Sequence, residues 1–335
     1  MARILITGIA GFIGSHIAAK LCRHDIFGID NLVGGNMENI PWLDKEWRHI
    51  DCCDFDDVTK FFQTVTPEIV YHTACYPHEG LSVFSPSIIT RSVYQGTISV
   101  ASAAIASGVK RFVNFSSMSR YGIGFPPFLE TDIPCPVDPY GIAKLAAEQT
   151  LLCLGREHGM EVVTIVPHNV IGPRQKRDDP YRNVVAIMMN RILQGKQPII
   201  YGDGEQQRCF SFIADAMDSI IKAGFQEGLN GHTINIGPDD EFITINELAS
   251  KIACILKFNL KPEYLPERPC EVKDAFCSSS KAKQLLGYKT MYTLDRGLEE
   301  MADWMKKVGP KPFNYHLPLE IQTARTPKTW KERTM

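Results

Sequence analysis

The sequence predicts an α/β fold in which a doubly wound parallel sheet is followed by a smaller domain of mixed helices and strands. Short apolar runs rich in Ile and Val alternate with helical patterns through the first half of the chain. These runs lack the polar alternation of a half-exposed strand, so helices should cover both faces of the sheet. A glycine-rich turn after the first run is the third observation, because such turns open this class of fold.

The predicted elements of the first half follow one another in a regular order. The strands, identified by their β-branched and aromatic residues, are expected at 3–7, 25–30, 68–74, 111–117 and 161–167. The helices, identified by period or composition, are expected at 12–22, 56–65, 89–108 and 140–159. Strands that alternate with helices in this way are connected in parallel by crossovers.

The alternation changes after residue 172, which predicts a domain boundary there. We expect 1–172 to form the first domain, 173–310 mainly the second, and 311–335 a C-terminal extension along the surface. A helical pattern within 208–240 should return to the first domain.

Three local patterns mark the second half. The segment 198–212 is hairpin-like, and Thr244 stands three residues before Glu247, as in a capping box. The predicted helix after residue 293 carries an apolar stripe made of Leu294, Leu298, Met301 and Met305.

The composition excludes several classes of partner. The 335 residues carry a formal net charge of −2, which gives no sign of nucleic acid or membrane binding. The N-terminus shows no signal-peptide cleavage pattern, and no apolar run approaches the roughly 18 residues of a membrane span. Ten cysteines form no C-x-x-C pair, so we expect free thiols, no metal site and a reducing cytoplasmic setting.

The turn "TGIAGFIGSH" predicts a dinucleotide site of the Rossmann type. Gly8, Gly11 and Gly14 permit a tight turn, close approach of the backbone to a pyrophosphate, and packing of the helix on the strand. Asp30 ends the second strand, where a carboxylate can accept hydrogen bonds from the adenosine ribose and would repel a 2′-phosphate. No Arg or Lys follows in "NLVGGN", so the predicted cofactor is NAD rather than NADP.

The stretch "YGIAK" places a phenol and an ammonium on one helix face. Tyr140 and Lys144 are four residues apart, and an ammonium near a phenol lowers its pKa toward that of a general base. Ser116 and Ser117 follow a predicted strand, at the edge where open α/β sheets bind ligands. A serine there can hold a substrate oxygen or relay a proton.

The order of these motifs resembles the extended short-chain dehydrogenase/reductase superfamily, specifically its NAD-dependent nucleotide-sugar epimerases and dehydratases. The matching stretches are "TGIAGFIGSH", "DCCD", "HTA", "SSMSRYG", "PYGIAK", "PHNVIGPRQ" and "YGDGEQQRCFSFIAD". The resemblance implies that Ser117, Tyr140 and Lys144 are catalytic. It implies a cofactor site made of Gly8, Gly11, Phe12, Ile13, Gly14, Asp30, Asn31, Asp51, Cys52, Ala74, Tyr140, Lys144 and Pro167.

The resemblance also implies a site for a nucleoside diphosphate sugar. Arg208 and Arg268 would hold the diphosphate, which suits the fork geometry of guanidinium groups. Glu271 would hold the nucleotide ribose. The expected substrate contacts are Ser117, Asn169, Asn183, Tyr201, Arg208, Arg268 and Glu271, with His78 and Glu79 as further candidates.

Departures from the family pattern bear on the reaction. Met118 and Ser119 stand where the 4,6-dehydratases carry Asp and Glu as acid and base, and decarboxylases usually hold Glu at the second position. Val93 and Arg120 replace a usual Asn and Val. These differences favour oxidation and re-reduction at C4 alone, through a transient 4-keto sugar.

The expected function is therefore NAD-dependent 4-epimerisation of a nucleotide sugar, most simply a UDP-sugar. The alternatives are a 4,6-dehydratase or C4 oxidoreductase that recruits His78, Glu79 or Arg120, and, from another class, a catalytically silent NAD-binding sensor or scaffold. Family members usually dimerise through helices that correspond to 86–107 and 140–158, so a homodimer is expected. Ala275 stands where glucose-restricted relatives carry a bulky tyrosine, which predicts room for an N-acetyl group.

Overall fold

The computed structural model describes residues 1–43 and 46–335. The strands of these residues are β1 (Arg3–Thr7), β2 (Asp25–Asp30), β3 (Trp47–His49), β4 (Ile69–His72), β5 (Arg111–Phe115), β6 (Glu161–Pro167), β7 (Val170–Ile171), β8 (Ile199–Tyr201), β9 (Gln207–Cys209), β10 (Ser211–Phe212), β11 (Thr233–Ile236), β12 (Phe242–Thr244), β13 (Glu263–Leu265) and β14 (Asp274–Ala275).

The α-helices of the same residues are α1 (Phe12–Lys20), α2 (Phe55–Val65), α3 (Glu79–Ser82), α4 (Pro86–Thr90), α5 (Gly96–Ala106), α6 (Pro139–His158), α7 (Val184–Leu193), α8 (Ile213–Phe225), α9 (Ile245–Ile255), α10 (Ser280–Leu286), α11 (Leu294–Val308) and α12 (Lys328–Lys331). Short 3₁₀ turns lie at Met37–Asn39 and Met118–Arg120.

The described residues form a central seven-stranded sheet in the order β11-β6-β5-β4-β1-β2-β3. Every neighbouring pair in it is parallel. The chain reverses its direction across the sheet between β1 and β4, and the crevice at such a switch point is where doubly wound sheets bind ligands. The predicted α/β fold class is confirmed.

Helices cover both faces of this sheet, as the continuous apolar strands predict. Along β1, Leu5 packs into one core cluster, whereas Ile4 and Ile6 pack into the other. This division follows from the two-residue period of a strand, which points successive side chains to opposite faces.

The helix predicted at 89–108 is interrupted. The chain forms α4, then one π-helical turn at Arg91–Gln95, and then α5. A π turn inserts one extra residue into the helical ladder and is frequently found at functional sites. Here the turn places Ser92 in the wall of the cavity that is described below.

The second half of the chain forms small sheets beside the central one. The hairpin expected at 198–212 is wrong, because β8 pairs in parallel with β13 and β9 pairs with β12 and β14. The capping box is confirmed. The Thr244 side chain accepts from the backbone N–H of Glu247, and the Glu247 carboxylate accepts from the backbone N–H of Thr244. Helix α11 buries its predicted apolar stripe, and that stripe comprises Leu294, Leu298, Met301 and Met305.

The C-terminal segment, residues 311–335, is anchored by a few large apolar side chains. Leu317, Trp330 and Met335 are buried in the same apolar cluster as Tyr140 and Tyr181. Most other residues of the segment are partly or fully exposed. These few apolar side chains decide where a segment that is polar on average packs.

The domain limits remain a prediction. Strand β11 is an edge strand of the central sheet, and the phenol of Tyr71 in β4 donates to the carbonyl of Ile221 in α8. In the described part of the chain, every helix is too short or too polar to cross a membrane. All ten cysteines lie in that part and are free.

Candidate active site

A cavity of about 440 Å³ opens at the carboxyl ends of the central strands and continues toward the C-terminal segment. Nearly all residues expected at the site line it. They are Gly8, Gly11, Phe12, Ile13, Asp30, Asn31, Asp51, Cys52, Ala74, Glu79, Ser117, Tyr140, Lys144, Pro167, Asn169, Asn183, Tyr201, Arg208, Arg268 and Glu271. Gly14 and His78 lie behind the wall.

The glycine turn at one end has no room for side chains. Gly8 has a φ of +68°, in the left-handed region that favours glycine, and a Cβ there would lie 3.0 Å from the Ala74 backbone. A Cβ at Gly14 would lie 2.2 Å from the Gly8 carbonyl oxygen. No side chain among the described residues caps α1 at Gly11, so N–H groups of its first turn remain available for an anion.

Carboxylates lie beside the glycine turn. Asp30 accepts from the backbone N–H groups of Ala10 at 2.9 Å and Leu32 at 2.7 Å, which fixes the carboxylate at the end of β2. Asp51 accepts from the side-chain amide of Asn31 at 2.9 Å. Of the described residues that line this end, from Gly8 to Cys52, none is Lys or Arg. This end therefore suits a dinucleotide whose adenosine ribose carries free hydroxyls.

The start of α6 positions the phenol and the ammonium. Asp138 caps the helix by accepting from the N–H of Gly141 at 2.9 Å, which sets the first turn that carries Tyr140. Lys144 donates to the carbonyl of Phe115 at 2.6 Å, and its Nζ lies 5.9 Å from the centre of the Tyr140 ring. The helix thus delivers both groups to the end of β5, as the four-residue spacing predicts.

The phenol is not acidified by the protein itself. Burial raises the pKa of Tyr140 well above its ordinary value, the nearby Cys75 adds to this, and a hydrogen bond with Ser117 works in the opposite direction. The expected lowering of the pKa by Lys144 is therefore not what dominates in this structure. A positive charge beside the ring would oppose the effect of burial and favour the phenolate.

The carboxylate of Glu79 lies beside the serines that follow β5. The hydroxyl of Ser119 donates to Glu79 at 3.0 Å, and the hydroxyl of Ser117 donates to that of Ser119 at 3.3 Å. Ser119 holds the position at which related dehydratases and decarboxylases carry their own carboxylate. Glu79, 40 residues away in sequence, therefore places a carboxylate beside that position.

His78 belongs to a buried polar cluster behind the cavity. Its Nε2 lies 2.9 Å from the Asp179 carboxylate, which also faces Arg182 at 3.4 Å and His316 at 3.9 Å. Burial lowers the pKa of His78, while the Asp179 carboxylate works in the opposite direction. The structure thus does not place His78 against a substrate in the cavity.

Two other departures from the family pattern are explained by packing. Arg120 is buried, pairs with Glu148 at 3.1 Å and lies over the Tyr121 ring, outside the cavity. Val93 is fully buried in the apolar cluster around Tyr140. Neither residue is therefore placed to act on a ligand.

Two guanidinium groups lie at the end of the cavity remote from the glycine turn. Arg268 donates to both oxygens of Glu271, at 3.0 and 3.1 Å, and Arg208 lies 3.7 Å from the same carboxylate. Although burial favours the neutral acid, these arginines hold the pKa of Glu271 below its ordinary value. The result is a positively charged pair that suits a diphosphate.

The two asparagines are held by the backbone. Asn169 donates to the Cys209 carbonyl at 3.0 Å, and Asn183 caps α7 by accepting from the N–H of Val185 at 3.1 Å. Asn183 has a φ of +55°, an uncommon conformation that is frequent at ligand sites.

Several lining residues were missed in the sequence analysis. They are Tyr181, Arg182, Gln206 and Met335. The stretch "YRN" around Arg182 offered a weak signal, since a cation there precedes the asparagine singled out at 183. Nothing in the local sequence around Met335 indicates a cavity, because its position depends on how the whole C-terminal segment packs.

Comparison with known proteins decides the family. Residues 4–237 match the NAD dependent epimerase/dehydratase family. The chain belongs to this family. It is 31% identical to the UDP-glucose 4-epimerase of Mycolicibacterium smegmatis, over 91% of this chain and 98% of that protein.

This chain also resembles family members that catalyse other reactions. It is 30% identical to a UDP-N-acetyl-alpha-D-glucosaminuronate decarboxylase of Bacillus cytotoxicus, over 91% of this chain and 98% of that protein. The reaction therefore has to be argued from the site and not from the family alone.

Two solved structures share the fold over nearly the whole chain. A UDP-glucose 4-epimerase from Thermotoga maritima with UDP-glucose has a TM-score of 0.85 and 31% identity, over 91% of this chain and 99% of that one. A UDP-glucuronic acid 4-epimerase from Bacillus cereus, in complex with UDP-glucuronic acid and NAD, has a TM-score of 0.83 and 27% identity with the same coverage.

Proposed function

We propose that this chain is an NAD-dependent nucleotide-sugar 4-epimerase with a UDP-hexose or a close relative as its substrate. The observation that carries this proposal is the assembly of Ser117, Tyr140 and Lys144 in one cavity, between a glycine turn and a pair of arginines. A catalytically silent NAD-binding sensor would not need a phenol and a serine held together at this point.

The residues of the glycine-turn end fit NAD. The backbone at Gly8 and Gly11 and the first turn of α1 would hold the pyrophosphate, and Asp30 would accept from the adenosine ribose. Asn31, Asp51 and Cys52 would lie beside the adenine. When bound, NAD would supply the hydride acceptor and donor for C4 of the sugar, and its positive ring would favour the phenolate form of Tyr140.

The catalytic residues would handle the proton and the oxygen at C4. Tyr140 takes the proton of the C4 hydroxyl as the C4–H bond breaks, and Ser117 donates a hydrogen bond to the oxygen that becomes a carbonyl. Lys144 keeps two N–H groups beyond the one given to Phe115, which can bind ribose hydroxyls of the cofactor. The 4-keto sugar would then rotate in the cavity so that hydride returns to the opposite face of C4. Tyr140 would give the proton back to the C4 oxygen.

The arginine end would bind the nucleoside diphosphate. Arg208 and Arg268 converge on the Glu271 carboxylate, so the phosphates can approach two guanidinium groups that are already fixed. Glu271 can then accept from the hydroxyls of the nucleotide ribose. Asn169 and Asn183 lie along the wall, where their amides can reach the sugar and the phosphates.

The direct test of this function is a substrate panel. The purified protein is incubated with UDP-, GDP-, dTDP- and CDP-sugars, and products are read by mass spectrometry and NMR. We expect products of unchanged mass that are inverted at C4, and we expect NAD in the supernatant after denaturation. A protein that contains only NADP(H), or that turns over none of the sugars, would contradict the proposal.

A second candidate, a 4,6-dehydratase, is favoured by one observation. The Glu79 carboxylate lies 3.0 Å from Ser119, beside the position where dehydratases carry their acid and base. A carboxylate there could take the C5 proton of a 4-keto sugar and pass it to the C6 hydroxyl, which would leave as water. The hydride taken from C4 and a proton would then reduce the C5–C6 double bond and give a 6-deoxy-4-keto sugar. The product would be lighter by one water, and Glu79→Gln would abolish it. An unchanged product mass eliminates this candidate.

A homodimer in the cytoplasm completes the proposal. Tyr94 and Ile142 expose apolar surface on the π-helical turn and on α6, within the segments expected to meet a second copy. Sedimentation velocity should give twice the chain mass, and Ile142→Glu should shift the protein toward the monomer. A wild-type monomer at micromolar concentration would contradict this part.

A further inference from the structure

The C-terminal segment is fastened to the body of the protein at several points. Trp330 is 2% exposed, donates from its indole N–H to the Pro180 carbonyl at 3.2 Å, and meets the ring of Tyr181 edge-on. The Tyr181 hydroxyl in turn donates to the carbonyl of Leu317 at 2.9 Å. The buried indole and its bonded partners define one conformation for the segment.

Two further contacts hold the segment near α4. Ser85 donates to the Pro318 carbonyl at 2.6 Å. The carboxylate of Glu320 accepts from the backbone N–H groups of Ser87 and Ile88, both at 2.8 Å. An acidic side chain at the first turn of a helix is a favourable interaction, so this contact stabilises the docked state.

The end of the segment reaches the cavity. Met335 is 6% exposed and lines the cavity together with Ile199 and Tyr201. The Tyr201 hydroxyl lies 2.6 Å from the Thr329 hydroxyl and 3.9 Å from the Met335 sulfur. The segment therefore contributes a side chain to the wall and fixes a second one.

Successive contacts between residues show which part of the cavity the C-terminal segment borders. From Ser119 the path continues through Glu79 to Gly80, where a Cβ would lie 3.5 Å from Arg268. The Arg268 guanidinium lies 4.9 Å from the Tyr201 ring centre, and Tyr201 contacts the C-terminal segment. Through Tyr201 the segment thus meets the cavity at the end where Arg268 lies.

We propose that residues 329–335 form the outer wall of the nucleoside subsite and select the nucleotide, with Met335 limiting the size of the base. This inference rests on the proposed function, since it takes Arg208 and Arg268 as the diphosphate site. A nucleotide whose phosphates lie on the arginines then directs its base toward Tyr201 and Met335. The aromatic face and the thioether suit a flat base, and Thr329 keeps Tyr201 against Arg268.

The test measures nucleotide binding without turnover. The affinities of UDP and GDP are measured by calorimetry for the wild type, Met335→Ala and the matched control Met291→Ala, which shortens an exposed methionine (73% exposed) away from the cavity. We expect Met335→Ala to raise the affinity for GDP relative to UDP by about tenfold, because space for a two-ring base opens. Met291→Ala should leave the ratio at the wild-type value.

A second pair of variants tests the support of Tyr201. Thr329→Val removes a hydroxyl without changing the side-chain volume and should weaken UDP binding several-fold. Thr334→Val, on an exposed residue of the same segment, should not. An unchanged GDP-to-UDP ratio in Met335→Ala together with unchanged UDP binding in Thr329→Val overturns the inference. So does a wild type that binds neither nucleotide.

The two proposals can fail separately. If the nucleotide affinities shift as expected but no sugar is epimerised, the subsite stands and the proposed reaction falls. Alternatively, the wild type epimerises a UDP-sugar while Met335→Ala keeps the GDP-to-UDP ratio and Thr329→Val keeps the affinity for UDP. In that case the reaction stands and the role of the C-terminal segment falls.

Discussion

The two ends of the cavity are built in different ways. The glycine-turn end comes from short stretches at the carboxyl ends of adjacent parallel strands, such as Gly8 to Gly14 after β1 and Asp30 at the end of β2. The arginine end combines Arg208, Arg268 and the C-terminal segment, which come together only through tertiary packing. The first end is therefore fixed by the sheet itself, whereas the second can vary while the sheet stays the same.

This difference separates the residues that carry out the reaction from those that select the nucleotide and the sugar. In the proposed function, the central sheet positions the cofactor and the catalytic groups. The loops and the C-terminal segment that form the other end decide which nucleotide and sugar are accepted. The predictions below test this division.

The largest effect is expected at the catalytic end. Tyr140→Phe removes the general base while keeping the ring in its apolar cluster, so turnover should fall by about 10²–10⁴-fold. NAD content and thermal unfolding should stay close to the wild type. The measurement is the initial rate of C4 inversion with cofactor content determined on the same sample. Full activity in the variant would show that another residue takes the proton.

The next effect is expected at the arginine end. Arg268→Ala removes one of two guanidinium groups and should weaken UDP binding by about 1.5–3 kcal/mol, the value of a lost charged hydrogen bond. Binding of uridine, which has no phosphates, should change little. Calorimetry with both ligands measures the difference. Equal losses for UDP and uridine would argue against a diphosphate role.

A smaller effect is expected from the cap of α6. Burial, with the charge of Glu79 nearby, raises the pKa of Asp138 to about 6, so the folded protein binds a proton there that the unfolded chain has already lost. The contribution of this bound proton to the free energy of unfolding is fully present below about pH 4. It is lost as the pH rises through about 6. The wild type should lose about 1–2 kcal/mol of unfolding free energy relative to Asp138→Asn over this range.

Urea unfolding of both proteins between pH 4 and 7 measures this difference. Asn is a good N-cap and does not titrate, so the variant should fold normally at every pH. If the difference in unfolding free energy stays constant from pH 4 to 7, the raised pKa of Asp138 is not supported.

The smallest effect concerns the sugar. Ala275 lines the cavity on β14, paired in register with Arg208 of β9, and its small side chain leaves space beside the ligand. Ala275→Tyr should lower the rate on UDP-N-acetylglucosamine relative to UDP-glucose by about tenfold, as expected for steric exclusion from a pocket. Rates on both sugars give the ratio. A ratio that does not move would show that another residue controls the size of the sugar pocket.

How far the site could be predicted follows from the same comparison. Gly8, Asp30 and Tyr140 were identified because each belongs to a local pattern with a direct chemical purpose. The contact of Glu79 with Ser119 spans 40 residues, and that of Tyr201 with Thr329 spans 128. No local pattern specifies such pairs, because they depend on where two distant segments of the chain meet.

The same reasoning explains the errors in the fold. Apolar runs alternating with helices specified five of the seven strands of the central sheet and their parallel direction, since burial on both faces leaves a strong signal. Strands β3 and β11 were not predicted. The segment 198–212 was misread because its strands pair with distant partners instead of each other. The burial of Trp330 and Met335 within residues 311–335 could not be predicted, because it depends on sites elsewhere in the chain.

In the proposed function the chemistry is confined to C4, and isotope exchange is the sharpest test of this. The reaction is run in heavy water with the accepted nucleotide sugar, and the product is analysed by NMR and mass spectrometry. We expect a C4 epimer of unchanged mass that keeps its original hydrogen at C4, carries no deuterium at C5 and leaves no NADH to accumulate. Deuterium at C5 in a product lighter by one water would contradict the claim and assign the C5 proton to Glu79.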